Sequence, residues 1–531
     1  MRTNAMTQYR TLSKILLAGS LLLTSCSKGL EDDFIDPNGF TNPTIEGFYA
    51  EAQQAQGTFR YSYSDMSSAF NTLGPMLGTS GYSNDGVTNM YSWTFDPFEN
   101  SFSRLRSIAE MQRRYDALAE SEKAGYKAYM MTADVIKAYI FYQLTDVFNQ
   151  VPYFEALKGK SDQFFPKYDT QQDIYHDILS RLKAISQELN GFTLGNSAPE
   201  LYFSTNDILF KADFGKWRIF VNSLRLRLAI HLTNVEPELA KSTIREVLAE
   251  DIYAKDRASS ILLIDQQQDM AEQTLIFKAI IDQRLYLIAP ENMLKVMRRP
   301  GQPEDPRIKV IFQPDKYGAY SGIRTEGPYQ QSYADSIDTK VVLSTYPSFY
   351  NRTTFEQNFG MPYQILTSSE VHLILAEAAV RWPALGLNAG DEYTMAIKQS
   401  IDLYYEINAL NTRNFASKIA ASQPAKPTQT QIDAFAEAKR NEFLAAGEAE
   451  KKGLIYDQKY VHFNILKPYE LWTETRRLYK ELGSRVMKKP SNTRFMERRP
   501  YPVSESDNNY DNFAKVVNEN NYTSPVWFTG R

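Results

Sequence analysis

The chain contains one cysteine, Cys26, and this limits how the fold can be held together. Residues 1–25 carry Arg2, Arg10 and Lys14, no acidic side chain, and an apolar run from Ile15 to Leu23 broken by Gly19 and Ser20. That charged-then-apolar order is the layout of a secretory signal peptide, and the run is too short to span a bilayer. An exported chain with a lone cysteine has no internal disulfide framework. Its fold must rest on a buried apolar core, which 531 residues are enough to build.

The leader ends in Leu23-Thr24-Ser25-Cys26. This resembles a lipobox, the signal that a bacterial lipoprotein peptidase cleaves just before the cysteine. Cys26 is therefore the expected lipidation site, and several acyl chains anchor a protein stably where one does not. Glu31-Asp32-Asp33 follows closely and would be repelled by an anionic membrane surface. In one bacterial phylum such a cluster resembles the tag that sends lipoproteins to the outer face of the outer membrane. The expected location is the outer membrane, lipid-anchored and facing the cell exterior. Residues 26–45 form the tether and an early turn, and residues 46–531 a single body.

The formal net charge is −4, and it becomes more negative when the three basic residues of the leader depart. This argues against a nucleic-acid partner. No later segment reaches 18 uninterrupted apolar residues. The four histidines are widely spaced, so no metal site is expected, and Asp32-Asp33 with Asp36 and Asn38 lacks calcium-loop spacing. His372, between Val371 and Leu373 in a helical pattern, reads as a core or boundary residue. There is no Gly-x-Ser-x-Gly elbow, no His-Glu-x-x-His and no phosphate-gripping loop. Paired carboxylates of glycosidase type cannot be picked out among 63 acidic residues. No enzyme activity and no cofactor are expected.

Helical periodicity organises the body. The pattern predicts helices over 46–70, 101–118, 128–144, 168–189, 217–228, 237–248, 367–382, 394–410, 431–446 and 455–482. Thr367-Ser368-Ser369-Glu370 is a capping-box signature. Pro152 disfavours a helical Val151, so Pro152 and Tyr153 close a helix and start a turn. Trp472 and Arg476 lie four apart and share a helix face, which makes both scaffold residues. Residues 190–213 read as a loop, and the tail after Lys489 as irregular chain lying against the body. The scaffold thus covers about 101–249 and 367–482. Between them, about 250–363, glycine, proline and aromatic residues crowd a loop-rich excursion, and loops on a rigid scaffold commonly hold binding sites.

Two loop stretches combine stacking and polar groups. The first places Tyr91 and Trp93 beside Asn84 and Asp85, and the second holds Tyr317, Tyr320 and Arg324. Sugar rings offer apolar faces that stack on aromatic rings, and their hydroxyls need polar partners; ligand pockets combine such groups. A buried structural patch would show the same residues, and sequence does not decide whether the two stretches meet.

Taken in order, several segments resemble one family. Asp36-Pro37-Asn38 is similar to an early Asp/Asn-Pro-Asn turn. Leu144-Thr145-Asp146-Val147-Phe148-Asn149-Gln150-Val151-Pro152-Tyr153 is similar to an Asp-x-Phe-Gly-x-Val-Pro-Tyr pattern, with Asn149 in place of the glycine. Glu370 to Ala379 is similar to a Glu-x-x-x-x-x-Ala-Glu-Ala helix, and Trp472 to Arg477 to a Trp-x-x-x-Arg-Arg helix. Arg498-Arg499-Pro500-Tyr501-Pro502 with Glu505 and Asn509 completes the series. Together they resemble the SusD/RagB lipoproteins, the surface substrate-binding partners of TonB-dependent transporters in Bacteroidetes. The resemblance implies a mainly α SusD-like fold with four tetratricopeptide-like helix pairs and a loop-rich variable ligand-binding region. It also implies a SusC-like TonB-dependent transporter as partner, and the aromatic stretches favour a glycan as ligand. A peptide ligand, a structural helical-repeat adaptor and, least favoured, a secreted glycoside hydrolase are the alternatives. No ligand-contact residue is carried over from the family.

Overall fold

The computed structural model describes residues 43–55, 58–59, 61–62, 65–66, 69, 73–78, 97–263, 287–322, 347–411 apart from 357 and 359, 423–486 and 496–531. Helices dominate: α1 (Ile45–Gln54), α2 (Pro97–Asp116), α3 (Lys127–Phe148), α4 (Gln171–Glu188), α5 (Ala198–Asn206), α6 (Phe214–His231) and α7 (Pro237–Glu250). After the loop-rich middle come α8 (Ser368–Arg381), α9 (Ala389–Ala409), α10 (Gln429–Ala445), α11 (Glu448–Phe463), α12 (Pro468–Leu482), α13 (Val503–Asn508) and α14 (Tyr510–Val516). Two small antiparallel ladders join them, β1 (Val151–Pro152) with β2 (Tyr168–Asp169), and β3 (Ile261–Leu263) with β4 (Tyr363–Leu366). Consecutive helices pack side by side in two runs, and α6 against α8 joins the runs. This is a mainly α fold of paired helices, as the resemblance implies.

Several boundaries differ from the sequence reading, each for a local reason. Helix α3 runs on to Phe148; Asn149, at φ 71, ends it, and its N–H still reaches the Thr145 carbonyl. Tyr168–Asp169 is a strand, and α4 begins only after Thr170, whose hydroxyl accepts the Asp173 N–H. The expected loop 190–213 contains α5, started by a Ser197/Glu200 capping box with Pro199 in the first turn. The expected helix 455–482 is two helices. Asn464, at φ 31, ends the first, and Pro468 opens the second. In the 46–70 stretch α1 stops at Gln54, and the tail holds α13 and α14 instead of irregular chain.

The expected capping box at Thr367 is half formed. Its hydroxyl accepts the Glu370 N–H, but the Glu370 carboxylate turns inward to Arg227. That ion pair opens a polar network inside the core. Arg227 Nη2 donates to Glu370 Oε2 at 2.8 Å, and Nη1 donates to the Tyr142 hydroxyl, which donates on to Glu470. Beside it, Arg477 donates to both oxygens of Glu377 at 2.7 Å and to Glu474 at 2.6 Å, and Lys459 donates to Glu377. Removing charges from water costs several kcal/mol per ion, so such groups persist only when paired and hydrogen-bonded.

The family-like segments converge on this network. Arg476 Nη1 donates to the carbonyls of Asp146 and Glu497 at 2.7 and 2.8 Å, tying α12 to the end of α3 and to the tail. Its guanidinium lies 3.6 Å from the Trp472 ring centroid, and the buried indole donates to the Met496 carbonyl. Arg498 donates to Tyr501, whose hydroxyl also reaches the Gln150 carbonyl. Pro152 pairs with Tyr168 across the β1–β2 ladder, and Tyr153 is buried with its hydroxyl on Asp177.

Candidate functional site

One short segment, Leu287–Pro290, gathers the ends of three stretches of chain. The Ile288 N–H donates to the Gly78 carbonyl at 3.0 Å, at the point where residues 79–96 begin. The Ala289 N–H donates to Ser348 at 2.8 Å, and the Ser348 N–H to Ser321 at 2.9 Å, so both ends of 323–346 lie beside it. Leu287 itself follows residues 264–286. The floor is apolar and fixed, since Leu287, Ile288 and Ala289 are buried and Ile288 bridges to Phe349.

The approach of the backbones requires glycine. A Cβ on Gly78 would sit 1.8 Å from the Ile288 carbonyl oxygen, at a φ of +79° that also disfavours a side chain. A Cβ on Gly322 would sit 2.4 Å from the Ala289 oxygen. Sequence could not say whether the two aromatic stretches meet; the structure brings their roots onto one patch.

Next to the patch lies the turn 313–322. The Asp315 carboxylate accepts N–H groups from Tyr317 and Ala319 and the Ser321 hydroxyl. Burial tends to raise its pKa, but these donors outweigh it and hold the carboxyl below the usual range. The turn presents Tyr317 with 80% of its surface exposed, and the Lys316 ammonium lies 4.9 Å from the ring centroid. Tyr320 is half-buried against the core and its carbonyl accepts from Arg298. Burial, then the Glu304 carboxylate, raises its hydroxyl pKa. Of this pair only Tyr317 offers a free ring face. Asn84, Asp85, Tyr91, Trp93, Arg324 and Cys26 lie outside the described residues.

A cavity of about 90 Å³ sits where the chain re-enters at Pro97, lined by Tyr61, Asp65, Arg104, Tyr363, Lys467 and Glu470 among others. Drug-sized ligands occupy roughly 300–1,000 Å³, so this cavity suits a few waters rather than an oligomer. A polar groove of about 340 Å³ between α4 and α7 is lined by Lys183, Arg225 and Glu246, already joined in ion pairs. Among the described residues no group of three or more His, Cys, Asp or Glu could hold a metal ion. No helix among them is long and apolar enough to cross a membrane.

Sequence reasoning missed Gly78, Ile288 and Ser348 as the junction of the loops. The signal was present in Gly74-Pro75 with Gly78 and in Gly318 with Gly322, glycines that bracket the aromatic stretches. The buried partners of Arg227 and Arg477 were also missed, although Glu370 and Glu377 stand on the apolar face of α8.

Comparison with known proteins follows the same outline. A SusD-like family model, described as starch-binding and associating with the outer membrane, matches residues 75–502. A SusD homolog from Bacteroides fragilis superposes with a TM-score of 0.71 at 18% identity, covering 92% of this chain and 100% of that one. An outer-membrane protein from Bacteroides vulgatus, described as probably involved in nutrient binding, gives a TM-score of 0.69 at 22% identity, covering 92% and 100%. A chitin-binding SusD homolog from Flavobacterium johnsoniae gives 0.61 at 18% identity, covering 91% and 98%. At these identities the likeness concerns the fold. No curated protein matches in sequence.

Proposed function

Because this chain belongs to the SusD-like family, we propose that it is a surface lipoprotein that captures a glycan and hands it to a SusC-like TonB-dependent transporter without cleaving it. The observation that carries this reading is the convergence of the loop roots at Gly78, Ile288 and Ser348, with Tyr317 presented beside them. Such a junction lets stretches distant in sequence act on one ligand. A solvent-exposed ring supplies a stacking face, and backbone and side-chain polar groups meet hydroxyls. Acyl chains on Cys26 hold the body at the outer membrane, facing the exterior. Residues 1–25 act as the leader, 26–45 as the tether and 46–531 as one body.

The test is a binding screen of the protein against polysaccharides and peptide mixtures, with analysis of products alongside. Chitin oligosaccharides are the first probe, since a solved relative is described as chitin-binding. Specific glycan binding without turnover is the expected result. Binding of peptides alone, or efficient cleavage of a bound polymer, overturns the reading.

A further inference from the structure

The loop between β1 and β2 carries an apolar surface that the ligand platform does not use. Phe154 is 45% exposed, Phe164 64% and Phe165 67%. This presentation is built. The Asp169 carboxylate accepts the N–H groups of Tyr153 and Phe154, Asn512 Nδ2 donates to the Phe165 carbonyl at 3.0 Å, and Asn509 Nδ2 donates to Pro166 at 2.9 Å. The backbone is thus tied to the body from both ends while the rings face solvent. Three exposed aromatic rings on one loop tied to the body mark an interaction site.

The structure also shows which side of the body this loop occupies. Lys160 on the loop donates to Glu110 of α2 at 2.7 Å, and Glu110 lies 3.3 Å from Arg114. The Arg114 guanidinium sits 5.4 Å from the ring centroid of Phe48, in the first turn of α1. The chain from Cys26 enters the body at that turn. These contacts set the phenylalanine loop beside the turn at which the tether joins the body.

We propose that the 154–167 loop is a lipid contact, whose phenylalanine rings enter the headgroup zone of the membrane that holds Cys26. The inference rests on the lipid anchor of the reading above and adds a second point of attachment to it. The loop's charges suit this occupant. Lys160 and Lys167 are exposed but paired with Glu110 and Glu155, so the rim is close to neutral and is not repelled by headgroups. Rings that project from a loop enter a soft interface, where buried apolar area adds to the grip of an acyl chain. The attachment would fix the orientation of the body above the membrane.

The test uses the acylated full chain. Cys26 is its one cysteine and carries the lipid, so Phe164→Cys gives a single site for an environment-sensitive label. A Leu444→Cys chain, labelled at another exposed position, is the control. In neutral phosphatidylcholine vesicles containing brominated lipid, quenching at position 164 is expected to exceed that at 444 severalfold. Phe165→Ser in an unacylated chain should lower vesicle partitioning about tenfold. Failure of the acylated chain to float with vesicles overturns the anchor itself. Flotation with equal quenching at both positions overturns the lipid contact alone. A label at 164 that is shielded only when a second protein is added also overturns it, in favour of a protein interface.

Discussion

Gly78 and Ile288 are joined by one backbone hydrogen bond of 3.0 Å, and no side chain fits between them. Replacing the glycine must therefore move the root of the 79–96 stretch. Gly78→Ala is expected to weaken ligand binding tenfold or more, while thermal stability falls by about 1–3 kcal/mol, the cost of a strained backbone position. Calorimetric titration and thermal unfolding on the same protein check this. Unchanged affinity would separate the loop junction from function.

Tyr317 presents its ring to solvent and has no structural burden. Tyr317→Ala is expected to leave folding intact and to weaken glycan binding by about 1–3 kcal/mol, a magnitude borrowed from base–aromatic stacking. Trp93→Ala is expected to do the same if that residue belongs to the same platform. If a folded Tyr317→Ala protein binds with full affinity, the stacking face lies elsewhere among the loops.

Arg477 neutralises two buried carboxylates. Burial pushes the pKa of Glu377 up, yet Arg477, then Lys459 and Arg381, hold it well below the usual range. Arg477→Met leaves Glu377 with Lys459 and Arg381 and Glu474 with Lys459, a loss of about 3–5 kcal/mol in urea unfolding at pH 7. A stability loss below about 1 kcal/mol would show that the network relaxes around the gap. In the wild type the depressed folded pKa means that this stabilisation is present above the unfolded glutamate value and is lost as pH falls toward the folded one.

His462 gives a separate window. Its ring nitrogens sit 2.7 Å from the Thr367 hydroxyl and 2.9 Å from the Ser400 hydroxyl. Burial, then the charges of Arg307 and Lys467, push its pKa down to about 3. The folded ring stays neutral while the unfolded one gains a proton below about pH 6.5, so stability falls as pH drops from there toward 3. At pH 4 this contribution is a loss of ~3 kcal/mol relative to pH 7. His462→Gln should shrink the difference between denaturation free energies at pH 7 and pH 4 by that amount, whatever its effect at pH 7. An unchanged difference would assign the acid sensitivity to carboxylates.

The helical scaffold was legible because its signals are local. The stripe of Ile174, Ile178, Leu182 and Ile185 can be read without knowing what it packs against, and these residues are buried on α4. Boundaries failed where tertiary contacts decide them. Thr145 to Phe148 continues α3 because Asn149 adopts a positive φ, and its side chain is held by Glu519, 370 positions away. The short α5 was hidden by surrounding glycine and polar residues, although Ser197-Ala198-Pro199-Glu200 carried its start. Two aromatic stretches beside amides stood out by composition, but the meeting of their roots did not. The hydrogen bonds that bring Gly78 to Ile288 and Ala289 to Ser348 span long stretches of chain and leave no periodic trace.

The buried ionic network also sets an order of assembly. Arg227 waits for Glu370, 143 positions on, Glu377 waits for Arg477, 100 positions on, and Tyr142 waits for Glu470, 328 positions on. Until α12 arrives, Glu377 has only Lys459 and Arg381 beside it, and the Tyr142 hydroxyl lacks its Glu470 acceptor. Contacts of such sequence separation slow folding, because loop closure must precede their reward. Closing the polar centre of the core therefore requires the whole length between α3 and α12 to be in place.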